Sequence, residues 1–507
     1  MPEAEPAKNE GVRLRSFLGE SALYGLGSVG DKVIGFLLLP LTTALLSPTD
    51  FGTLSVFGTT ASLALIVVSL AHHLALPILH AKAGNSDERR SLFAAGAVLG
   101  GIASIGLILG SFAFGSWIGP RIFGSAASLF FLLGPFTLLN LLRYLGYTRL
   151  RLQHRPQAFV AVSLTSTVIV RAAALILTAM GLGAKGWVLG ELLGLAVTFA
   201  VLWPMAFADL PLRLDRVAVT KLLSMGIALT PSLLAHWVMM GSDRYVMLAE
   251  LPDATHQIGL YSIGERISTL MQLVNAAFVL GWQRYAFENL MRPDGQQRFA
   301  HGLTLYAAVG GYVAFSLALL GDDLTRFITP SSYNAGVVVI PMLTLAGFLG
   351  GFAELTSARL QHANLGVRLS TATWIAAGVQ VALLFWAIPK NGIQGAAGAS
   401  LAGQTLKLLL IVGAGWKSAP VAFEVRRLAL LALVFVSAYI VGGAVGEDGT
   451  ARRFVWQLGV VAATPVIAVA AGFLADDEKR RIAGGFRRLM GLRTKRAAPV
   501  SEDRPEG

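Results

Sequence analysis

The chain has 507 residues, of which 54% are hydrophobic and only 14% charged, with a mean hydropathy of +0.64; these values exclude a string of soluble domains and indicate a polytopic membrane protein. A formal net charge of +12 would suggest nucleic acid in a soluble protein, but here the basic residues gather at one membrane face and need no such partner. Cysteine is absent, which rules out disulfide frameworks, thiolate metal sites and cysteine nucleophiles.

Residues 1–19 are polar and of mixed charge, and read as an N-terminal arm. A bilayer core about 30 Å thick takes about 20 apolar residues of helix. About fourteen such runs follow, at approximately 21–46, 54–79, 92–117, 127–148, 158–180, 186–207, 221–245, 257–281, 301–321, 334–357, 368–388, 392–415, 428–446 and 455–474. The first, from Leu23 to Leu46, is too long for a signal-peptide core and is expected to be a retained span. Lys and Arg are concentrated in the loops after even-numbered spans, among them Arg89, Arg90, Arg149, Arg151, Arg298, Lys417, Arg426 and Arg427. The positive-inside rule therefore predicts cytoplasmic termini. A basic tail over 475–507 places Ile482, Phe486 and Leu489 at helical spacing among arginines, the pattern of an interfacial anchor.

The sequence also repeats itself. Arg151-Leu152-Gln153-His154 recurs as Arg359-Leu360-Gln361-His362; Phe51-Gly52-Thr53-Leu54 aligns with Ile258-Gly259-Leu260-Tyr261; Gly183-Ala184-Lys185-Gly186 pairs with Gly392-Ile393-Gln394-Gly395. All three lie near one displacement of about 208 residues. A repeat of six spans enters the membrane in the same direction each time, so the copies are related by an axis along the membrane normal. The predicted fold is an all-α integral membrane protein of about 14 transmembrane helices. It divides into two parallel six-helix lobes, 20–208 and 217–415, plus a C-terminal helix pair within 428–474.

Charges at mid-span are costly and usually face a cavity or a partner. Lys32 and Arg171 in the first lobe, and Arg266 and Lys407 in the second, are the deep cations. All four are candidates for binding an anionic cargo. Asp31 and Glu265 are candidate ion-pair or proton-coupling groups; neither can face its neighbouring cation on the same helix, because adjacent residues point about 100° apart. Asp243-Arg244 forms a candidate gate or structural pair, while Glu191 fits either role. Arg143, Arg284 and Glu354 lie close enough to span ends to snorkel. Pro40, Pro135 and Pro231 are expected bending points. There is no Walker A sequence and no catalytic constellation, so neither an enzyme nor a bound cofactor or metal is expected.

Gly27-Ser28-Val29-Gly30-Asp31-Lys32-Val33, continuing through Pro40 to Leu46-Ser47-Pro48-Thr49-Asp50-Phe51-Gly52, resembles the opening of polysaccharide and oligosaccharide-lipid flippases. These form a branch of the multidrug/oligosaccharidyl-lipid/polysaccharide exporter superfamily. Ser242-Asp243-Arg244-Tyr245 and Ile258-Gly259-Leu260-Tyr261-Ser262 look like the opening of the second lobe, and Gly392 to Ala397 like that of the twelfth span. The resemblance covers about residues 17–415. It implies translocation of a polyprenyl-pyrophosphate-linked oligosaccharide, an O-antigen or exopolysaccharide repeat unit, across a bacterial inner membrane by alternating access. The expected partners are that lipid-linked sugar, membrane lipids and a polysaccharide polymerase or export machinery. Fourteen spans rather than twelve also match the peptidoglycan-precursor flippases, which keeps a lipid II cargo open. A cation-coupled multidrug exporter would favour deep acidic groups, and a membrane glycosyltransferase or O-antigen ligase would need a large outer loop. A non-transporting scaffold of an export complex is a further alternative.

Overall fold

The computed structural model describes residue 30 and residues 33–211, 214–445 and 451–474. Asp31, Lys32, the N-terminal arm, the start of the first span and the basic tail with its amphipathic pattern lie outside these residues. Among the described residues there is no strand.

The first helical segment ends in α1 (Leu39–Leu45). Pro40 opens that helix after a turn at Leu38, where its missing N–H costs nothing. Then α2 (Pro48–Ser69) starts on a capping box. The Ser47 hydroxyl accepts from the Asp50 amide at 3.1 Å, and Asp50 Oδ2 accepts from the Ser47 amide at 3.4 Å. Asp50 has a second task, because its Oδ1 accepts from the Ala184 amide at 3.3 Å. One carboxylate thus faces the N-termini of two helices, whose unpaired amides favour a negative charge. Next come α3 (His72–Lys82), α4 (Ser86–Phe123), α5 (Leu133–Leu152), α6 (Pro156–Leu177) and α7 (Gly183–Ala206). The second half comprises α8 (Arg216–Glu250), α9 (Ala254–Ser268), α10 (Leu270–Leu290), α11 (Gly295–Ile328), α12 (Ile340–His362) and α13 (Gly366–Ala414). The chain closes with α14 (Val425–Gly443) and α15 (Ala451–Ala470).

Nine continuous helical stretches among the described residues are long and apolar enough to cross a membrane. Three of these, 67, 51 and 49 residues long, fold back on themselves. A Cβ at Gly115 would lie 2.6 Å from the Phe131 ring, and one at Gly403 2.8 Å from Gln380 Cβ, so residues on opposite arms touch. The fold-back points include Gly183 (φ +52) and Gly392 (φ +53), whose left-handed backbone glycine adopts without strain.

The two lobes meet about a local two-fold. A Cβ at Gly52 would lie 2.8 Å from the Gly259 amide nitrogen, and one at Gly259 would lie 3.1 Å from that of Gly52. Ser262 donates to Ser55 at 2.7 Å. Positions equivalent in the repeat therefore touch each other, as happens only at a symmetry axis. Only glycine permits this backbone approach between α2 and α9.

The repeat needs one correction. Arg149 and Arg359 each reach back to the last carbonyls of the sixth or twelfth span: Arg149 to Ala206 O at 2.7 Å, Arg359 to Ile411 O at 3.1 Å and Val412 O at 2.9 Å. Gln153 and Ala363 cap α5 and α12 alike, and His154 (φ +53) matches Asn364 (φ +56). Arg149-Leu150 is therefore the counterpart of Arg359-Leu360, and the Arg-Leu-Gln-His match is two residues out of register. The physical constraint is the buried guanidinium on helix C-terminal carbonyls, which a string of letters does not reveal.

Packing differs at the two ends. One apolar cluster spans both lobes near the α2–α9 seam, joining Val56, Phe57 and Leu133 to Val246, Ile258 and Leu384. Toward the basic loops the cores separate, one around Leu76, Leu92 and Leu145 and the other around Met271, Phe299 and Leu355. Helix α8 links them. Its Leu222 sits in the first lobe's core, whereas its Met239 packs on Ala376 and Ala377 in the second. Pro231 lies between these halves, inside the helix. Pro135, by contrast, falls in the first turn of α5, where proline is tolerated, so it interrupts nothing. A break at Leu70 (φ +40) and Ala71 (φ +57), which no glycine or proline marks, splits the second span into α2 and α3.

The C-terminal pair rests on α11. Phe435 stacks on Phe315 at 5.8 Å, and Arg453 reaches Asp322 at 3.2 Å and Asp323 at 3.7 Å.

Candidate functional site

Between the lobes lies a cavity of about 400 Å³, walled by the segment running into α1 and by α2, α6, α7, α8 and α9. Arg171 on α6 reaches it paired with Glu191 on α7, at 2.5 Å. Their juxtaposition follows from the hairpin. The π-helical turn over Thr178–Leu182 contains Gly181 (φ +86), and Arg171 lies as far before it as Glu191 lies after it. Both therefore arrive at the same depth on touching helices. The Arg171 guanidinium also sits 5.9 Å from the Trp187 ring centroid.

Arg244, on α8, has only 4% of its side chain exposed. It donates to Asp243 Oδ1 at 2.7 Å, to Met240 O at 3.1 Å and to the Glu265 carboxylate. Tyr261 donates to Asp243 Oδ2 at 2.7 Å. The burial of one cation is thus offset by two carboxylates and a hydroxyl, the condition under which a buried charge is tolerated. Glu265 takes the α8 side of α9. Its neighbour Arg266, turned about 100° away, faces the cavity, its guanidinium making no hydrogen bond or ion pair with any described residue. The break between α9 and α10 lies just beyond, where Thr269 Oγ1 donates to Arg266 O at 2.6 Å and Ser268 Oγ to Gly264 O at 2.9 Å.

Of the four deep cations, then, Arg171 and Arg266 share the interlobe cavity, and Lys32 lies outside the described residues with Asp31. Lys407 does not join them. It lines a second cavity of about 430 Å³ inside the second lobe, among α8, α9, α10, α12 and α13. Met240, Glu265 and Thr269 border both cavities. A smaller pocket of about 180 Å³ places Gln272 beside Arg171 and Arg266.

Sequence reasoning left Glu191 unassigned, although equal spacing about Gly181 would have identified it as the partner of Arg171. Glu354, read as a snorkelling residue, lines the second cavity instead. His236 lines it as well and had no sequence signal at all.

No curated protein matches the chain in sequence. Among solved structures, the lipid II flippase MurJ in an inward closed conformation superposes with a TM-score of 0.71 at 14% identity, over 93% of this chain and 100% of that one. An inward-facing multidrug resistance MATE family transporter of the MOP superfamily gives 0.60 at 13% identity, over 82% and 96%. An outward-facing one gives 0.52 at 13%, over 81% and 95%. At such identities the likeness is one of fold. Residues 18–281 match the family model described as polysaccharide biosynthesis protein, and with more than half its length so matched the chain belongs to that family of multi-pass membrane proteins.

Proposed function

We propose that the protein flips a polyprenyl-pyrophosphate-linked oligosaccharide, an O-antigen or exopolysaccharide repeat unit, from the cytoplasmic to the outer leaflet of a bacterial inner membrane. The observation that carries this reading is Arg266, its guanidinium aimed into the interlobe cavity beside Arg171 with no partner among the described residues. A pyrophosphate satisfies Arg266 and competes with Glu191 for Arg171, since a guanidinium binds phosphate oxygens with the same fork it offers a carboxylate. With both termini cytoplasmic, the α2–α9 seam closes the outer side and the separated cores lie at the inner side. This agrees with the higher similarity to an inward-facing than to an outward-facing MATE transporter. Rocking about the seam would expose the cavity outward, driven by an ion gradient or the membrane potential, since the sequence offers no nucleotide motif. The lipid tail stays in the bilayer, with α14 and α15 beside it. Polymerase and export machinery would receive the product.

A second reading, a peptidoglycan-precursor cargo, is favoured by the superposition on a lipid II flippase over 93% of the chain, C-terminal helices included. A proteoliposome assay with fluorescent lipid-linked sugars tests both. Arg266→Ala is expected to slow flipping at least about tenfold, the loss of one charge-assisted contact. Unchanged rates in Arg266→Ala and Arg171→Ala would sink the site assignment. Faster turnover of lipid II than of undecaprenyl-pyrophosphate-linked repeat units would favour the second cargo.

A further inference from the structure

The cavity inside the second lobe has a chemistry of its own. Among the polar side chains that line it, six stand outside the Arg244 network and the hydrogen bonds of α9 and α10: His236, Gln272, Glu354, Ser400, Gln404 and Lys407. None makes a hydrogen bond or ion pair with a described residue. Ser400, Gln404 and Lys407 follow one another at helical spacing on a single face of α13. Ser400 and Gln404 are 8% and 5% exposed, yet Ser400 Oγ and Gln404 Oε1 have no partner. Buried polar atoms are almost always paired, and those that are not await an explanation, of which a missing ligand is one. Opposite them α12 presents Gly347, Gly350 and Gly351, and a Cβ at Gly350 would lie 3.1 Å from Gln404 Oε1.

We infer that this cavity is the saccharide subsite, taking the uncharged or zwitterionic, polyhydroxylated head of the cargo while the interlobe arginines hold its pyrophosphate. This inference rests on the function proposed above. Amide, hydroxyl and imidazole groups offer the mixed donors and acceptors that sugar hydroxyls require; the Asp243 and Glu265 carboxylates at its border are held by Arg244, and the remaining cation and carboxylate, Lys407 and Glu354, cancel in net charge. The volume falls within the ~300–1,000 Å³ typical of ligand pockets. Continuity gives the placement. Gln272 borders both this cavity and the small pocket holding Arg171 and Arg266, so a phosphate at Arg266 directs the attached sugar along α10 into the second lobe.

The test measures binding to the purified full-length chain in detergent by native mass spectrometry. The probes are undecaprenyl pyrophosphate and undecaprenyl pyrophosphate bearing an N-acetylhexosamine-headed trisaccharide. The wild type is expected to prefer the sugar-bearing lipid by about tenfold. Gln404→Ala, Lys407→Met and Gln272→Ala should each bring that ratio toward one. Gln272 is exposed, and its truncation removes no core packing, which keeps the test valid should a buried variant misfold. Arg266→Ala should weaken both lipids and preserve the ratio. A wild-type ratio of one, or a ratio maintained in all three polar variants, overturns the subsite while leaving the flippase reading intact. In the proteoliposome flipping assay, loss of ion-gradient dependence by these variants with the binding ratio preserved would also overturn it, making the cavity a coupling site. Failure to bind either lipid would instead count against the proposed function itself.

Discussion

The two lobes share a backbone but not a chemistry. Gly183 and Gly392 turn their hairpins with the same left-handed φ, and Arg149 and Arg359 cap the same carbonyls. Yet the Arg171–Glu191 pair of the first lobe has no counterpart in the second. The displacement of 209 residues set by Gly183 and Gly392 places Ser400 opposite Glu191. Before the turn the displacement is 210, as His154 and Asn364 show, so Val381 stands opposite Arg171. The first lobe's π-helical turn accounts for the extra residue. Duplication supplied the geometry, and each lobe then filled the same position with different groups: an ion pair facing the shared cavity in one, an unpaired hydroxyl facing an internal cavity in the other.

The seam is the place to break this symmetry hardest. Gly259→Val puts a branched side chain against the Pro48 carbonyl, and overpacking at such a site costs about 1–3 kcal/mol or more. Because the neighbour is backbone, the expected result is a large drop in melting temperature in detergent together with loss of polymer export. Gly52→Val should do the same from the other lobe. A variant at either position that melts like wild type would show that the lobes do not depend on this contact.

Next in size is the ion pair. Glu191→Gln alone leaves Arg171 without its carboxylate, and should destabilise by about 1–3 kcal/mol, discounted for partial exposure. The double change Arg171→Val with Glu191→Ser copies the second lobe's residues into the first. It should recover most of the melting temperature but not transport. Recovery of both in the double variant would show the pair to be structural alone.

The capping arginines should behave alike. Arg149→Ala and Arg359→Ala each leave helix-terminal carbonyls unpaired, and both are expected to lower stability by about 1–3 kcal/mol. Denaturation of the two variants side by side sharpens the register assigned here, whereas Arg151→Ala should cost much less.

The smallest effect is one of pH. Asp209, in the turn after α7, accepts from Arg149 at 2.7 Å, and that hydrogen bond holds its carboxyl below the usual carboxylate range. A depressed carboxylate contributes stability that is fully present above the unfolded value of about 4 and lost as pH falls through the lower folded value. Asp209→Asn should flatten that acid limb of the melting curve. The second lobe offers Ala419 O to Arg359 at the comparable place, so it should show no such limb.

The sequence alone determined that this is a membrane protein, because hydrophobic runs about 20 residues long admit no other solvent, and that it is duplicated, because glycines forced by turns and close contacts recur at a nearly fixed spacing. It also identified Lys32, Arg171, Arg266 and Lys407 as deep cations in need of a reason, with Glu265 as a possible ion-pair or coupling group and Asp243-Arg244 as a possible gate. It could not assign their partners. Whether a buried cation is satisfied depends on the azimuth of neighbouring helices, and only tertiary packing gave Arg244 to Glu265, Arg171 to Glu191, and left Arg266 facing the cavity. The same packing moved Lys407 away from the other cations into a separate cavity and shifted the Arg-Leu repeat by two residues. Hydropathy and spacing act along the chain; pairing and cavity formation act across it, between residues that only the packed lobes bring together.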